Sequence, residues 1–154
     1  MFFSAIVTKR TGETLTEYLT PRLFGPLGIT KYYWETCPKG ITKGGWGLFL
    51  CAEDMAKLGQ LYLQRGKWNG QQLVSEYWIE ISTARHLKTQ NDTYGYGYQL
   101  WMEQRPRSFE YNGMLGQNVI IYPDMDMVLV TNAGNKEMFQ DCIMLNIIRK
   151  YFPV

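Results

Sequence analysis

The feature that most constrains this chain is a pair of apolar runs near its end. Val119-Ile120-Ile121-Tyr122 and Met127-Val128-Leu129-Val130 flank Pro123-Asp124-Met125-Asp126. Proline presets a turn φ and aspartate tolerates turn conformations, so the two runs predict an antiparallel hairpin. Successive strand residues face opposite sides, and here both sides are apolar, so the sheet they build must be covered on both faces. A helix predicted from about Lys136 to Tyr151, carrying Phe139, Ile143 and Ile147, can cover one face. The cover of the other face is left open by this pattern.

The rest of the chain divides by texture. Residues 1–85 show mainly helical periodicity, and residues 94–154 show strands followed by the last helix. Residues 1–10 read as the end of a helix stopped near Gly12. Thr14-Leu15-Thr16-Glu17 fits a capping box, with Leu15, Tyr18, Leu19 and Leu23 following at helical spacing. Pro21 removes a backbone donor late in that helix, and Gly25-Pro26 ends it. Cys51 is a weak cap for a helix carrying Met55, Leu58, Leu61 and Tyr62 as its buried stripe and closed by Gly66. Trp68-Asn69-Gly70-Gln71 predicts a tight turn, and Ser75 caps a short helix with Tyr77, Trp78 and Ile81. Residues 85–93 read as a polar loop. Tyr94 to Trp101 reads as one strand, and Phe109 to Tyr111 begins another, broken by Gly113 and Gly116.

Composition excludes several classes. The 154 residues are 45% hydrophobic, which excludes global disorder. The longest apolar run, Leu48 to Ala52, falls far short of the roughly 18 residues a membrane-spanning helix needs. Sixteen lysines and arginines against fourteen acids leave a net charge of +2 with no basic block, which disfavours nucleic acid as a partner. Cys37, Cys51 and Cys142 stand far apart, and His86 is the only histidine, so no zinc ligand set and no disulfide framework is encoded. No metal and no cofactor is expected.

His86 lies in a polar stretch with no serine elbow nearby, which disfavours a Ser-His-Asp triad. A serine–lysine pair needs S-x-x-K, which places both side chains on one helical turn. The residues three places after Ser4, Ser75, Ser82 and Ser108 are Val7, Trp78, Arg85 and Tyr111, so no such pair exists here. Asp124 with Asp126, and Glu53 with Asp54, have turn and helix-start roles that account for them without glycosidase chemistry. Gly44-Gly45-Trp46-Gly47 lacks a P-loop lysine. Aromatics at 15% imply a large core or a lined groove. Tyr94 to Trp101 fits a strand buried on one face, the favoured reading, with a platform for a peptide or carbohydrate as the alternative.

A set of landmarks carries a resemblance. They are Ser4-Ala5-Ile6-Val7-x-Lys9-x-Thr11-Gly12, Pro26-Leu27-Gly28-Ile29, Gly45-Trp46-Gly47-Leu48, Asp54-Met55-Ala56-Lys57-Leu58-Gly59, Tyr94-Gly95-Tyr96-Gly97-Tyr98 and Asn112-Gly113-x-x-Gly116-Gln117. In this order, over nearly the whole chain, they resemble the C-terminal half of class C-type β-lactamase-related serine hydrolases, the superfamily of penicillin-binding proteins, D-aminopeptidases and esterases. The resemblance implies a partial α+β fold of β-lactamase/transpeptidase type: helices first, then antiparallel strands and a C-terminal helix packed on the sheet. It reads as one partial domain, 1–154. The apolar start at Met1 then reads as a helix cut in the middle, and the second sheet face as one meant for an N-terminal half.

The family site has three elements: S-x-x-K, Y-x-N, and a strand motif of Lys or His, any residue, then Gly. The resemblance implies that the first two lie upstream of this chain's residues. The third falls on Tyr111-Asn112-Gly113, with Tyr111 in place of the usual cation. The N–H of Met114 matches the strand-side oxyanion donor. Tyr96 and Trp46 are the candidate substrate-binding residues. The expected partners are a small-molecule or peptide substrate and a missing N-terminal half. Relatives of this type are commonly exported, and the chain carries no export signal. The chain is expected to be inactive alone. The rival expectation is a non-catalytic module whose aromatic groove holds a peptidoglycan-like peptide.

Overall fold

The computed structural model describes residues 2–88, 95–102, 105, 107–134, 147, 150 and 151. It forms two compact units, residues 1–54 and 55–154.

In the first unit, α1 spans Phe2–Thr11 and stops at Gly12, whose φ of +78° is left-handed. The capping box forms as the spacing predicts. The Glu17 N–H donates to Thr14 Oγ1 (3.2 Å), and the Thr14 N–H donates to Glu17 Oε2 (2.8 Å). This starts α2, Leu15–Leu19. The expected single helix does not continue through Pro21. Residues Thr20–Phe24 widen into a π turn, with the Gly25 N–H reaching Thr20 O (2.7 Å). Proline has no N–H to give to the residue four places back, and the wider turn absorbs that loss. The left-handed stop falls at Gly28 (φ +66°), not at Gly25-Pro26. Phe24, Leu27 and Ile29 are buried, with Phe24 against Tyr32 (4.7 Å between ring centres) and Trp34 (6.3 Å). Strands β1 (Tyr33–Trp34) and β2 (Leu48–Phe49) pair antiparallel, so this stretch is less helical than its periodicity suggests. Gly44 lies on α1: a Cβ there would sit 2.4 Å from the buried Ser4 Oγ.

Helix α3 spans Ala52–Leu63, and the Cys51 thiol donates to Asp54 Oδ2 at its start (3.3 Å). β3 (Lys67–Trp68) and β4 (Gln71–Gln72) are joined by Asn69 (φ +48°) and Gly70 (φ +81°), the two-residue turn the sequence predicts. In α4 (Glu76–Ser82), Ser75 Oγ accepts from the Trp78 N–H (3.2 Å).

A six-stranded antiparallel sheet follows, with β5 (Leu87–Lys88), β6 (Gly95–Tyr96), β7 (Trp101–Met102), β8 (Phe109–Gly113), β9 (Gln117–Tyr122) and β10 (Met127–Thr131) side by side in chain order. Two expectations are corrected here. The stretch 85–93 is not all loop, because Leu87 and Lys88 pair with Tyr96 and Gly95. The stretch from Tyr94 to Trp101 is not one strand. Gly97 N–H donates to Leu100 O (2.8 Å) and Gln99 turns left-handed (φ +63°), so β6 folds back onto β7. Residues 89–94 lie outside the described set.

The register sorts the sheet into two faces. Phe109, Val119, Ile121, Val128 and Val130 share one face with Tyr111. Met55, Tyr62 and Leu63 pack on it, so α3 is a cover. A Cβ on Gly59 would stand 2.6 Å from Val128 Cγ1 and 2.8 Å from Val119 Cγ1, so helix and sheet meet there without a side chain between them. The sequence reading reserved the second face for a missing half and did not place α3 on the sheet. Ile120 and Tyr122 share the other face with Leu129 and Met127. The helix predicted from Lys136 to Tyr151 lies largely outside the described residues; Ile147, Lys150 and Tyr151 are helical.

Candidate functional site

Tyr111, Asn112 and Gly113 close β8, an inner strand of the sheet, and Met114 opens the loop to β9. Alternation sends Tyr111 to the α3 face and Asn112 to the other. Tyr111 meets the Tyr62 ring edge to face, at 5.5 Å and 87°, and Tyr62 also touches Phe109 at 6.0 Å. Burial pushes the Tyr111 hydroxyl well above the ordinary tyrosine range, and the neighbouring Tyr62 phenol adds to this. Tyr111 therefore stays protonated at neutral pH. It can donate a hydrogen bond there, but it supplies neither the positive charge of a lysine nor a ready base.

This shift has a thermodynamic consequence. A group whose folded-state pKa is raised stabilises the fold below its unfolded pKa, about 10 for tyrosine, and that stability drains away as pH rises through and above it. Urea unfolding at pH 8 and at pH 11 should show an alkaline loss of stability that is smaller in Tyr111→Phe. Equal losses in the two proteins would refute the assignment.

Asn112 is exposed, and its Nδ2 donates to Glu110 Oε1 (3.1 Å). Gly113 faces Gln117 across the hairpin. A Cβ there would lie 2.8 Å from Gln117 O, so no side chain fits without moving the loop. Met114 and Leu115 are exposed. Leu115 takes φ +69°, a left-handed conformation costing on the order of 1 kcal/mol for a non-glycine residue. Two side chains hold the loop in it. Thr131 Oγ1 donates to Gly116 O (2.9 Å), and Gln117 Nε2 donates to Ala133 O. Asn118 Nδ2, buried, donates to Thr131 Oγ1 (3.1 Å). The sequence reading missed this brace. Its only signal was the polar pair Asn118 and Thr131 inside otherwise apolar strands.

Within the second unit, Tyr96 is not brought to Tyr111. Tyr96 pairs with Trp101 in register, with the rings 4.8 Å apart and at 70°, and Trp101 pairs with Glu110. That places Tyr96 on the face opposite Tyr111. Trp46 is exposed in the first unit, where its carbonyl accepts from Trp34 Nε1 (3.3 Å). His86 has a structural role: its ring stacks on Tyr98 at 4.2 Å and its Nε2–H donates to Ile81 O (2.6 Å). Tyr62 is the residue that sequence reasoning used only as core; its place on the α3 stripe with Met55 was the available signal.

Among the described residues, no group of three or more His, Cys, Asp or Glu could hold a metal ion. No helix among them is long and apolar enough to cross a membrane.

Comparison with known proteins agrees with this architecture. A putative 6-aminohexanoate-dimer hydrolase from Bacillus anthracis superposes with a TM-score of 0.81 at 26% identity, over 96% of this chain and 39% of that one. A penicillin-binding protein from Bacillus halodurans gives 0.69 at 19% identity, over 97% and 53%. A β-lactamase from Mycobacterium bovis gives 0.72 at 16%, over 98% and 61%. The last two, at these identities, show the fold alone. The chain thus spans between 39% and 61% of the length of these three structures. No curated protein matches it. The sequence profile described as Beta-lactamase matches residues 2–140, which takes in both units and the whole β8–β9 site. With that profile matched and the sheet-and-helix fold shared, the chain belongs to the β-lactamase family of hydrolases and penicillin-binding-protein homologues.

Proposed function

We propose that this chain supplies the strand side of an acyl-transfer site, and that the serine nucleophile comes from residues outside this sequence. The observation that carries the reading is the end of β8. There Tyr111-Asn112-Gly113, which the resemblance reads as the third motif, ends the strand, with Gly113 unable to carry a side chain and a strained loop braced behind it. The family match supports the reaction class, and the absence of S-x-x-K and Y-x-N supports the division of labour. In the complete site a serine attacks an amide, β-lactam or ester carbonyl, and water then releases the acyl group. Tyr111 donates a hydrogen bond toward substrate, and the Met114 N–H contributes to the oxyanion hole. β7 pairs with β8 only at Phe109 and Glu110, and beyond that pairing Gly113 lets the substrate backbone approach the β7 side of the strand.

Co-expression with a family segment bearing S-x-x-K and Y-x-N tests this. The reconstituted complex should hydrolyse p-nitrophenyl acetate, and Gly113→Val should lower that rate about a hundredfold without preventing co-purification. Hydrolysis indifferent to Gly113→Val would remove β8 from the site.

A further inference from the structure

A concave surface lies on the unit formed by residues 55–154, between the end of α3 and the β3–β4 hairpin. It is a shallow cleft of roughly 630 Å³ lined by Gln60, Gln64, Lys67, Trp68, Asn69 and Gly70. Its chemistry is uniform: three primary amides, one ammonium, one half-buried indole and no carboxylate. The amides of Gln60, Gln64 and Asn69, the Lys67 Nζ and the Trp68 Nε1 make no hydrogen bond to the described residues. Gln72, just outside the cleft, is different: its amide is spent on Arg65 O (2.8 Å) and Val74 O (2.6 Å). The walls are fixed in advance. Gly66 N–H donates to Leu61 O (2.8 Å), and the N–H groups of Leu73 and Val74 both reach Gly66 O, at 2.9 and 3.2 Å. A ligand therefore meets a preorganised surface.

We propose that this cleft binds a neutral saccharide. Primary amides donate and accept at once, which matches hydroxyl groups that do the same. An indole face offers an apolar platform for the C–H face of a sugar ring, with its N–H free to bond at the edge. The lack of carboxylates leaves nothing to hold a cation. The one ammonium, Lys67, is exposed, so solvent and salt screen its charge and a lone cation gives the cleft little selectivity for an anion.

Side-chain amide and indole NMR signals of the intact chain, titrated with chitotriose, maltotriose and oligogalacturonate, test the proposal. Saturable shifts at Gln60, Gln64, Asn69 and Trp68 are expected with at least one of the two neutral sugars. Trp68→Ala should weaken that binding about tenfold. Gln64→Ala, exposed in the turn just past α3, should weaken it about threefold and leave the fold intact, so it keeps the test open if the tryptophan variant does not fold. No saturable shift with either neutral sugar would overturn the proposal. So would selective binding of the acidic sugar, or wild-type binding by Gln64→Ala.

Discussion

Gly59→Leu is expected to cost about 3 kcal/mol or more, enough to erase cooperative unfolding in a marginally stable chain. The reason is the 2.6 and 2.8 Å approach of a Gly59 Cβ to methyl groups of Val128 and Val119. Valine in a strand is stiff at χ1, so those methyls cannot swing aside. Gly59→Ala makes the sharper test, because two effects oppose. Alanine gains about 1 kcal/mol of helix propensity over glycine. Overpacking a filled core costs about 1–3 kcal/mol, so destabilisation should win. Adding Val128→Ala to Gly59→Ala should recover part of the loss. A Gly59→Ala protein more stable than wild type in urea would show that α3 does not rest on the sheet at this point.

Gly66→Ala should cost about 4 kcal/mol, and its damage should be local. Gly66 takes φ +84°, and a Cβ there would stand 2.0 Å from Val74 O and 2.9 Å from Gln72 Nε2. The carbonyl is backbone, so the β3–β4 hairpin must lift. Lifting it breaks the bonds from Leu73 and Val74 to Gly66 O and frees the Gln72 amide. Hydrogen exchange should accelerate at the Leu73 and Val74 amides while that at Ile120 changes least. Unchanged protection at all three would contradict this account of the turn.

These two positions also show what a linear reading reaches. The Thr14 capping box, the Asn69-Gly70 turn, the Ser75 cap and the hairpin about Pro123–Asp126 were legible because each depends on neighbouring residues. Gly59 stood in a family landmark, yet its reason lies across space in Val119 and Val128. The fold-back at Gly97–Leu100 was hidden because alternating tyrosines and glycines read equally as one strand or as two. β5 was hidden because Leu87 and Lys88 become a strand only through Gly95 and Tyr96. The widened turn at Thr20–Phe24 could be anticipated as a disturbance at Pro21, but not in its form.

The site divides in the same way. The reading of Tyr111-Asn112-Gly113 as the third motif rests on the order of the landmarks alone. The protonation of Tyr111 could not be read in this way, because it is set by burial beneath a helix distant in sequence, with the Tyr62 phenol of that helix adding to it. Nor could the separation of Tyr96 from Tyr111, which follows from strand register. The brace of Asn118, Thr131 and Gln117 behind the loop is likewise a product of the β9–β10 pairing.

The most direct measurement is the intact mass of the purified chain after incubation with a penicillin and, separately, with a fluorophosphonate. The chain belongs to the β-lactamase family, while no S-x-x-K occurs in it. If it contributes only the strand side of the site, its mass stays unchanged with both reagents. A stoichiometric adduct mapping to Ser4, Ser75, Ser82 or Ser108 would show a nucleophile within the chain and contradict the account.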